Sequence, residues 1–120
     1  MELRKNTHYK SIYTPSVPAP QYKVYSLSFL ASKTNQYQGY VALGCVIRGE
    51  TTHYDYVCQE SARGLNELGY KNGLAIGYGI ITCENEAQAI ARADKNQKNK
   101  GGFAVLACLR MIEIKNKFNR

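Results

Sequence analysis

Apolar residues are spread unevenly along the chain. Two near-continuous apolar runs, YVALGCVI (Tyr40–Ile47) and LAIGYGIIT (Leu74–Thr82), stand out from polar surroundings. Their length and composition predict strands buried on both faces of a parallel sheet. Between them Val57, Ser61, Ala62, Leu65 and Leu68 recur at helical spacing, which predicts an amphipathic helix. Asp55 suits the start of that helix, Gly69 predicts its stop, and Asn72-Gly73 marks a turn. Asn85 predicts the N-cap of a second, shorter helix with Ala87, Ile90 and Ala91 facing inward. After the polar loop Asp94–Asn99, a long helix is expected from about Gly102 to Lys117. Its inner face would hold Ala104, Ala107, Cys108, Met111, Ile114 and Phe118. Lys115, Lys117 and Arg120 suit the negative end of its dipole.

Residues 1–36 lack this organisation. Pro15, Pro18 and Pro20 fall within six residues, and each removes a backbone donor. A short strand over Lys10–Thr14 and a turn or two of helix over Leu27–Ser32 are the local expectations. The chain therefore divides into a divergent or poorly ordered segment, 1–36, and an α/β core, 37–120. Strand–helix–strand–helix–helix implies a right-handed βαβ unit with helices over the sheet. Two strands make a marginal sheet in water. Either residues 1–38 add a strand or other subunits cover the sheet, so the pattern predicts an oligomer or an incomplete domain.

One hundred and twenty residues with 44% hydrophobic content fit one globular domain. No apolar run reaches the ~20 residues that span a bilayer, so no membrane partner is expected. MELRKNTHYKSIYTPSV carries basic residues without an apolar stretch, so the reading is of no secretory signal. Cys45, Cys58, Cys83 and Cys108 are spaced by 13, 25 and 25 residues. That spacing has no CxxC pair and argues against zinc. They read as buried free thiols in a reducing, cytoplasmic setting. The net charge of +7 is concentrated at the chain ends: residues 95–120 hold seven Lys/Arg and one acid, while residues 39–94 hold four and seven. A basic tail can contact nucleic acid. No stacking-aromatic groove accompanies this one, so a solvated basic face or a phosphorylated substrate is the simpler reading, with no nucleic-acid partner.

The chemistry-bearing stretch is Gly44–Tyr56, GCVIRGETTHYDY. It carries a buried strand into a polar turn and on into a helix start. Gly49 permits a tight bend, Thr51 and Thr52 offer hydroxyls, and the helix start presents unpaired N–H groups at a positive dipole end. Such a junction suits phosphate. His53 stands beside it as a proton carrier. An ordinary capped loop with an exposed histidine accounts for the same residues. By local pattern Arg92, Lys98 and Lys100 read most simply as solvated cations, and Tyr78 as a core tyrosine.

With those residues in view, the chain resembles the 6,7-dimethyl-8-ribityllumazine synthase family. GCVIRGETTHYDYV, GLAIGYGIITCENEAQAIARA and the KNKGG turn carry the likeness, over about Tyr37 to Phe118 without a gap. The resemblance implies a three-layer αβα sandwich around a four-stranded parallel sheet. It implies pentamers, in some members twelve in an icosahedral 60-mer shell, with active sites between adjacent subunits. The implied reaction condenses 5-amino-6-(D-ribitylamino)uracil with 3,4-dihydroxy-2-butanone 4-phosphate in riboflavin biosynthesis. It releases phosphate and water and uses no metal or organic cofactor. By motif position His53 matches the proton-transfer histidine. Glu50 and Thr51 match the phosphate-binding turn, and Arg92 matches an arginine reaching that phosphate from the neighbouring subunit. Cys45, Val46 and Ile47 match the strand end lining the pyrimidine site. Tyr78 matches an aromatic position of the neighbour, and Lys100 a basic position near the site.

The N-terminal part departs from that pattern. The family's first βα unit, with its S-R-F/W-N turn, has no counterpart. Where G-A-[FW]-E-[IL]-P is expected, the chain reads VPAPQYKVYS (Val17–Ser26), without the glutamate. In the family sheet the absent strand lies beside the one matching Tyr40–Ile47, so an open apolar edge is expected there. Two expectations follow: a lumazine synthase lacking the first βα unit, or a truncated, non-catalytic homologue that keeps only the phosphate half-site.

Overall fold

The computed structural model describes residues 23–119. The elements run α1 (Lys23–Ser32), β1 (Gly39–Ile47), α2 (His53–Asn72), β2 (Ala75–Cys83), α3 (Glu86–Ala93) and α4 (Lys100–Phe118). The helix expected over Leu27–Ser32 is part of α1, and the Lys10–Thr14 strand falls outside the described residues.

β1 and β2 pair in parallel, in a register running from Gly39↔Ala75 to Ile47↔Cys83. Side chains alternate across a strand, so this register sorts both strands into two shared faces. Even-numbered residues face α2. Ala42, Val46 and Ile80 form a core there with Val57, Leu65 and Leu68, against which Val24 and Tyr25 of α1 also pack. Removing a leucine of that core costs about 2–5 kcal/mol. Odd-numbered residues face α4, with α3 against β2 beside it. The result is three layers, αβα, around a sheet that among the described residues has two strands.

The α4 face is built differently. A Cβ at Gly77 would collide with the carbonyl of Ala104 and lie 3.2 Å from Cys108 Cβ. Glycine in a strand marks a close backbone approach, and here the approaching backbone is α4. The Cys108 thiol completes the contact by donating to Ala75 O at 3.5 Å.

Four expectations are corrected. Gly69 does not end α2, because one glycine costs a helix only about 1 kcal/mol. The left-handed residue that stops it is Gly73, at φ 64°, with the Gly73 and Leu74 N–H groups both donating to Leu68 O. On α3 the buried residue is Ala89, while Ala87 and Ile90 are exposed. This short helix packs on β2, with Ala89 its buried residue. On α4 only Ala104 and Cys108 are buried, and Phe118 is 87% exposed. Small side chains four apart match the glycine-bearing strand, and the larger ones project past a sheet two strands wide. On β1 one face alone is buried. Val41, Leu43 and Ile47 remain exposed, as does the Cys45 thiol, because α4 lies mainly over β2. Cys83 and Cys108 are buried, and the four thiols are free.

Candidate active site

The end of β1 and the start of α2 are joined by a five-residue turn, Arg48 to Thr52. Glu50, Thr51 and His53 are all exposed there. Thr51 Oγ1 accepts from the His53 N–H at 3.3 Å, which leaves the hydroxyl proton free to donate elsewhere. Thr52 occupies the N-cap position with φ −66° and ψ −3°, a helical conformation, and its side chain makes no capping bond.

The other helix starts differ. Asn85 Oδ1 accepts from the Gln88 N–H at 3.0 Å, and Gln88 Oε1 accepts in return from the Glu84 N–H at 2.9 Å. At α4, Asn99 accepts from the Gly102 N–H at 3.3 Å. Reciprocal capping of this kind occupies the donors of a helix start. α2 lacks that N-cap bond: Thr51 holds the His53 N–H and Thr52 O the Asp55 N–H, and its positive end keeps a threonine hydroxyl proton and an imidazole alongside.

Asp55, in the first turn of α2, does not turn back to cap it. Its carboxylate accepts from both terminal nitrogens of Arg48, at 3.2 and 3.0 Å. Arg48 Nε donates to Glu84 at 2.7 Å, and the guanidinium lies 4.2 Å from the Tyr54 ring centroid. The Arg48 N–H donates to Cys83 O at 2.9 Å. The hydrogen bonds from Arg48 hold the Asp55 carboxyl below the usual carboxylate range. The bonds to Asp55, then to Glu84, push the guanidinium further up. A forked arginine–carboxylate pair extended into a network is the geometry in which surface ion pairs count.

The other candidates gather elsewhere. Tyr78, Arg92 and Lys100 line a cavity of about 450 Å3 together with Thr82 and Phe103. Five consecutive residues of β2, from Tyr78 to Thr82, contribute to it. Strand side chains alternate between faces, so consecutive lining places the cavity at the outer edge of β2. It holds two cations and no carboxylate. Arg92 donates to Gln88 O at 3.0 Å on its own helix, and Lys100 Nζ sits 5.9 Å from the Phe103 centroid. None of Cys45, Val46, Ile47, Glu50, Thr51 or His53 lines this cavity. One chain thus carries two separate groups.

On β1, Cys45 and Ile47 share the open face, whereas the Val46 side chain lies in the α2 core. Val46 can therefore offer a ligand only its backbone. Sequence reasoning passed over Arg48, Glu84 and Phe103 as site residues and read Asp55 only as suited to the start of α2. A signal existed for two of them: Arg48 and Glu84 each follow directly on a strand of one βαβ unit. It becomes legible only once the register sets Ile47 against Cys83.

Comparison with known proteins adds an independent finding. The family described as 6,7-dimethyl-8-ribityllumazine synthase matches residues 2–116. The protein of that name from Bartonella henselae is 58% identical over 82 residues, covering 68% of this chain and 53% of its own length. Those from Bartonella tribocorum and Sphingopyxis alaskensis are 52% and 55% identical over 93 and 89 residues. They cover 78% and 74% of this chain and, in both cases, 62% of the relative. The chain spans about half to three-fifths of the length of these relatives.

Proposed function

The chain belongs to the 6,7-dimethyl-8-ribityllumazine synthase family, and from that premise we propose that it is a transferase of riboflavin biosynthesis whose β1–α2 turn holds the phosphate of the four-carbon substrate. In this reading 5-amino-6-(D-ribitylamino)uracil condenses with 3,4-dihydroxy-2-butanone 4-phosphate. The observation that carries it is the start of α2. The Thr52 side chain makes no cap bond, Thr51 holds the His53 N–H and keeps a hydroxyl proton to give, and His53 stands at the first helical position. Backbone N–H groups there receive the phosphate with help from the helix dipole. Glu50 and Thr51 shape the turn.

The chemistry then divides among few groups. The pyrimidine amine attacks the ketone carbonyl and water leaves as the imine forms. Phosphate departs, and the second amine closes the ring on the remaining carbonyl, whose oxygen leaves as a second water. Each step moves a proton to or from nitrogen or oxygen, work that an imidazole near neutrality does well, and His53 takes that role. Cys45, Val46 and Ile47 line the pyrimidine, with Val46 contributing backbone only.

Arg92, Lys100 and Tyr78 complete a site from the adjacent subunit. Two cations without a carboxylate, at the open edge of β2, suit an incoming anion and not an internal ion pair. Exposed Leu43, Phe103, Leu106 and Met111 offer the apolar surface that assembly would cover. A homo-oligomer follows, pentameric and in a shell of 60 if pentamers associate further. It works in the cytoplasm on small-molecule substrates. Among the described residues, no helix is long and apolar enough to cross a membrane.

The test uses two variants. His53→Ala and Arg92→Ala are each expected to lose turnover of the two substrates to fluorescent lumazine. Dissociated, mixed in equal amounts and reassembled, they regain about a quarter of wild-type activity, since a head-to-tail ring joins an intact turn to an intact neighbouring cavity at that frequency. No recovery in a verified mixed assembly would refute the shared site. Phosphate binding by the wild type without turnover would identify a non-catalytic homologue.

A further inference from the structure

Arg48 is the most connected side chain near the turn, and the family likeness gives it no role. It lies one residue beyond β1 and meets three elements. Through Asp55 it holds the first turn of α2 by a forked pair of bonds. Through Glu84 it holds the loop between β2 and α3. Its own N–H continues the strand pairing by donating to Cys83 O. Tyr54 lies against the guanidinium and limits its movement. From this geometry we infer that Arg48 is the positioning residue of the phosphate turn: it fixes where the residues 49–53 loop begins and where it re-enters the helix.

The inference rests on the reading of that turn as a phosphate site. Two consequences of the geometry carry it. First, residues 49–52 span the gap between a strand end and a helix start, and Arg48 cross-links both ends from one side chain. A turn held at both ends presents its N–H groups in one arrangement, which is the preorganisation anion binding needs. Secondly, Asp55 is an acid in the first turn of α2. Left free, its carboxylate would compete with a bound anion for the same donors. Arg48 holds both of its oxygens at 3.2 and 3.0 Å, so the cap stays open.

Lysine cannot reproduce this arrangement. Its ammonium is a single point charge, whereas the guanidinium presents a planar fork to Asp55 and a further N–H to Glu84.

The experiment combines inorganic phosphate titration by 31P NMR, steady-state kinetics and hydrogen exchange on the full chain. For Arg48→Ala the expected result is about tenfold weaker phosphate binding and about a tenfold higher KM for the butanone phosphate. The KM for the pyrimidine should stay within about twofold, since no pyrimidine contact is lost. Amides of residues 49–55 and 84–86 should exchange faster, with those of 60–72 unchanged. Arg48→Lys should fall between. Should Arg48→Ala fail to fold, Glu84→Gln keeps the Asp55 pair but cuts the anchor to the β2–α3 loop, with an expected loss of about threefold. Equal rises in both KM values, or wild-type exchange across 49–55 in a folded variant, would overturn the assignment. Wild-type phosphate binding that the variants leave intact would overturn it alone. A wild-type chain that binds no phosphate would overturn the reading of the turn, and the assignment with it.

Discussion

The turn after β1 and the cavity beside β2 each present an arginine, in opposite states. Arg48 has two carboxylates and an aromatic ring around its guanidinium. Arg92 has one carbonyl of its own helix, and Lys100 beside it has a phenyl ring. A cation satisfied by internal carboxylates holds a shape; a cation beside a cavity without carboxylates is available to an anion. The same contrast holds for the helix starts. α3 and α4 are capped by Asn85 and Asn99, while α2 is not. Each half of the proposed site therefore keeps one kind of positive group open: backbone N–H at the turn, side-chain cations at the cavity.

The sharpest way to break that contrast is chemical. His53→Ala removes the one imidazole at the turn, and turnover should fall about a hundredfold. The thermal midpoint should stay at the wild-type value, because the exposed imidazole packs against no core residue. A variant with unchanged turnover would assign proton transfer to another group.

Gly77→Ala attacks the second half through its support. The added methyl would meet the Ala104 carbonyl and push away the helix that carries Lys100 and Phe103. A loss of about 2 kcal/mol in a denaturant titration is expected, with amide exchange in the β1–α2 turn unchanged. A fully stable Gly77→Ala protein would mean that α4 does not lie so close.

Arg92→Ala should weaken inorganic phosphate binding by the assembled protein about tenfold and leave stability nearly untouched. Marked destabilisation would show that Arg92 is a structural cation like Arg48, and the contrast would fail.

The smallest effect concerns pH. Arg48 depresses the Asp55 carboxyl in the folded state. A depressed carboxyl contributes stability above its unfolded value of about 4 and loses that contribution as pH falls through the folded value. Thermal midpoints of wild type and Asp55→Asn should therefore differ modestly at pH 7 and converge only as pH falls through the depressed folded value. A difference that persists at low pH would remove charge from the account of that contact.

Much of this architecture was legible in the residues. YVALGCVI and LAIGYGIIT announced two strands by unbroken apolar content, and the 57, 61, 65, 68 spacing announced α2. Asn85 announced the start of α3. Errors fell where tertiary contact chooses between equivalent local patterns. Ala87, Ile90 and Ala91 form as good a stripe as Ala89, and only the contact with β2 selects the latter. The apolar run of β1 predicted burial on both faces, yet one face lies open because α4 covers β2. Among site residues, the RGETTHYDYV turn could be found by composition and resemblance. Arg92 and Lys100 are ordinary helix cations by local pattern; the resemblance singles them out, and the fold sets them around one cavity.

The sequence by itself determined the local grammar: which segments become strand or helix, where the polar turn falls, and which residues could handle a proton or a phosphate. These follow from apolar period and side-chain chemistry, properties of neighbours in the chain. Tertiary structure alone decided the partnerships. It joined Arg48 to Glu84 across 36 positions, made a tether of Asp55, which by sequence only suited the helix start, and brought Ala104 against Gly77. It also kept the β1 turn and the β2 cavity apart in one chain. Such pairings depend on strand register and helix placement, which distant residues fix together and no short stretch contains.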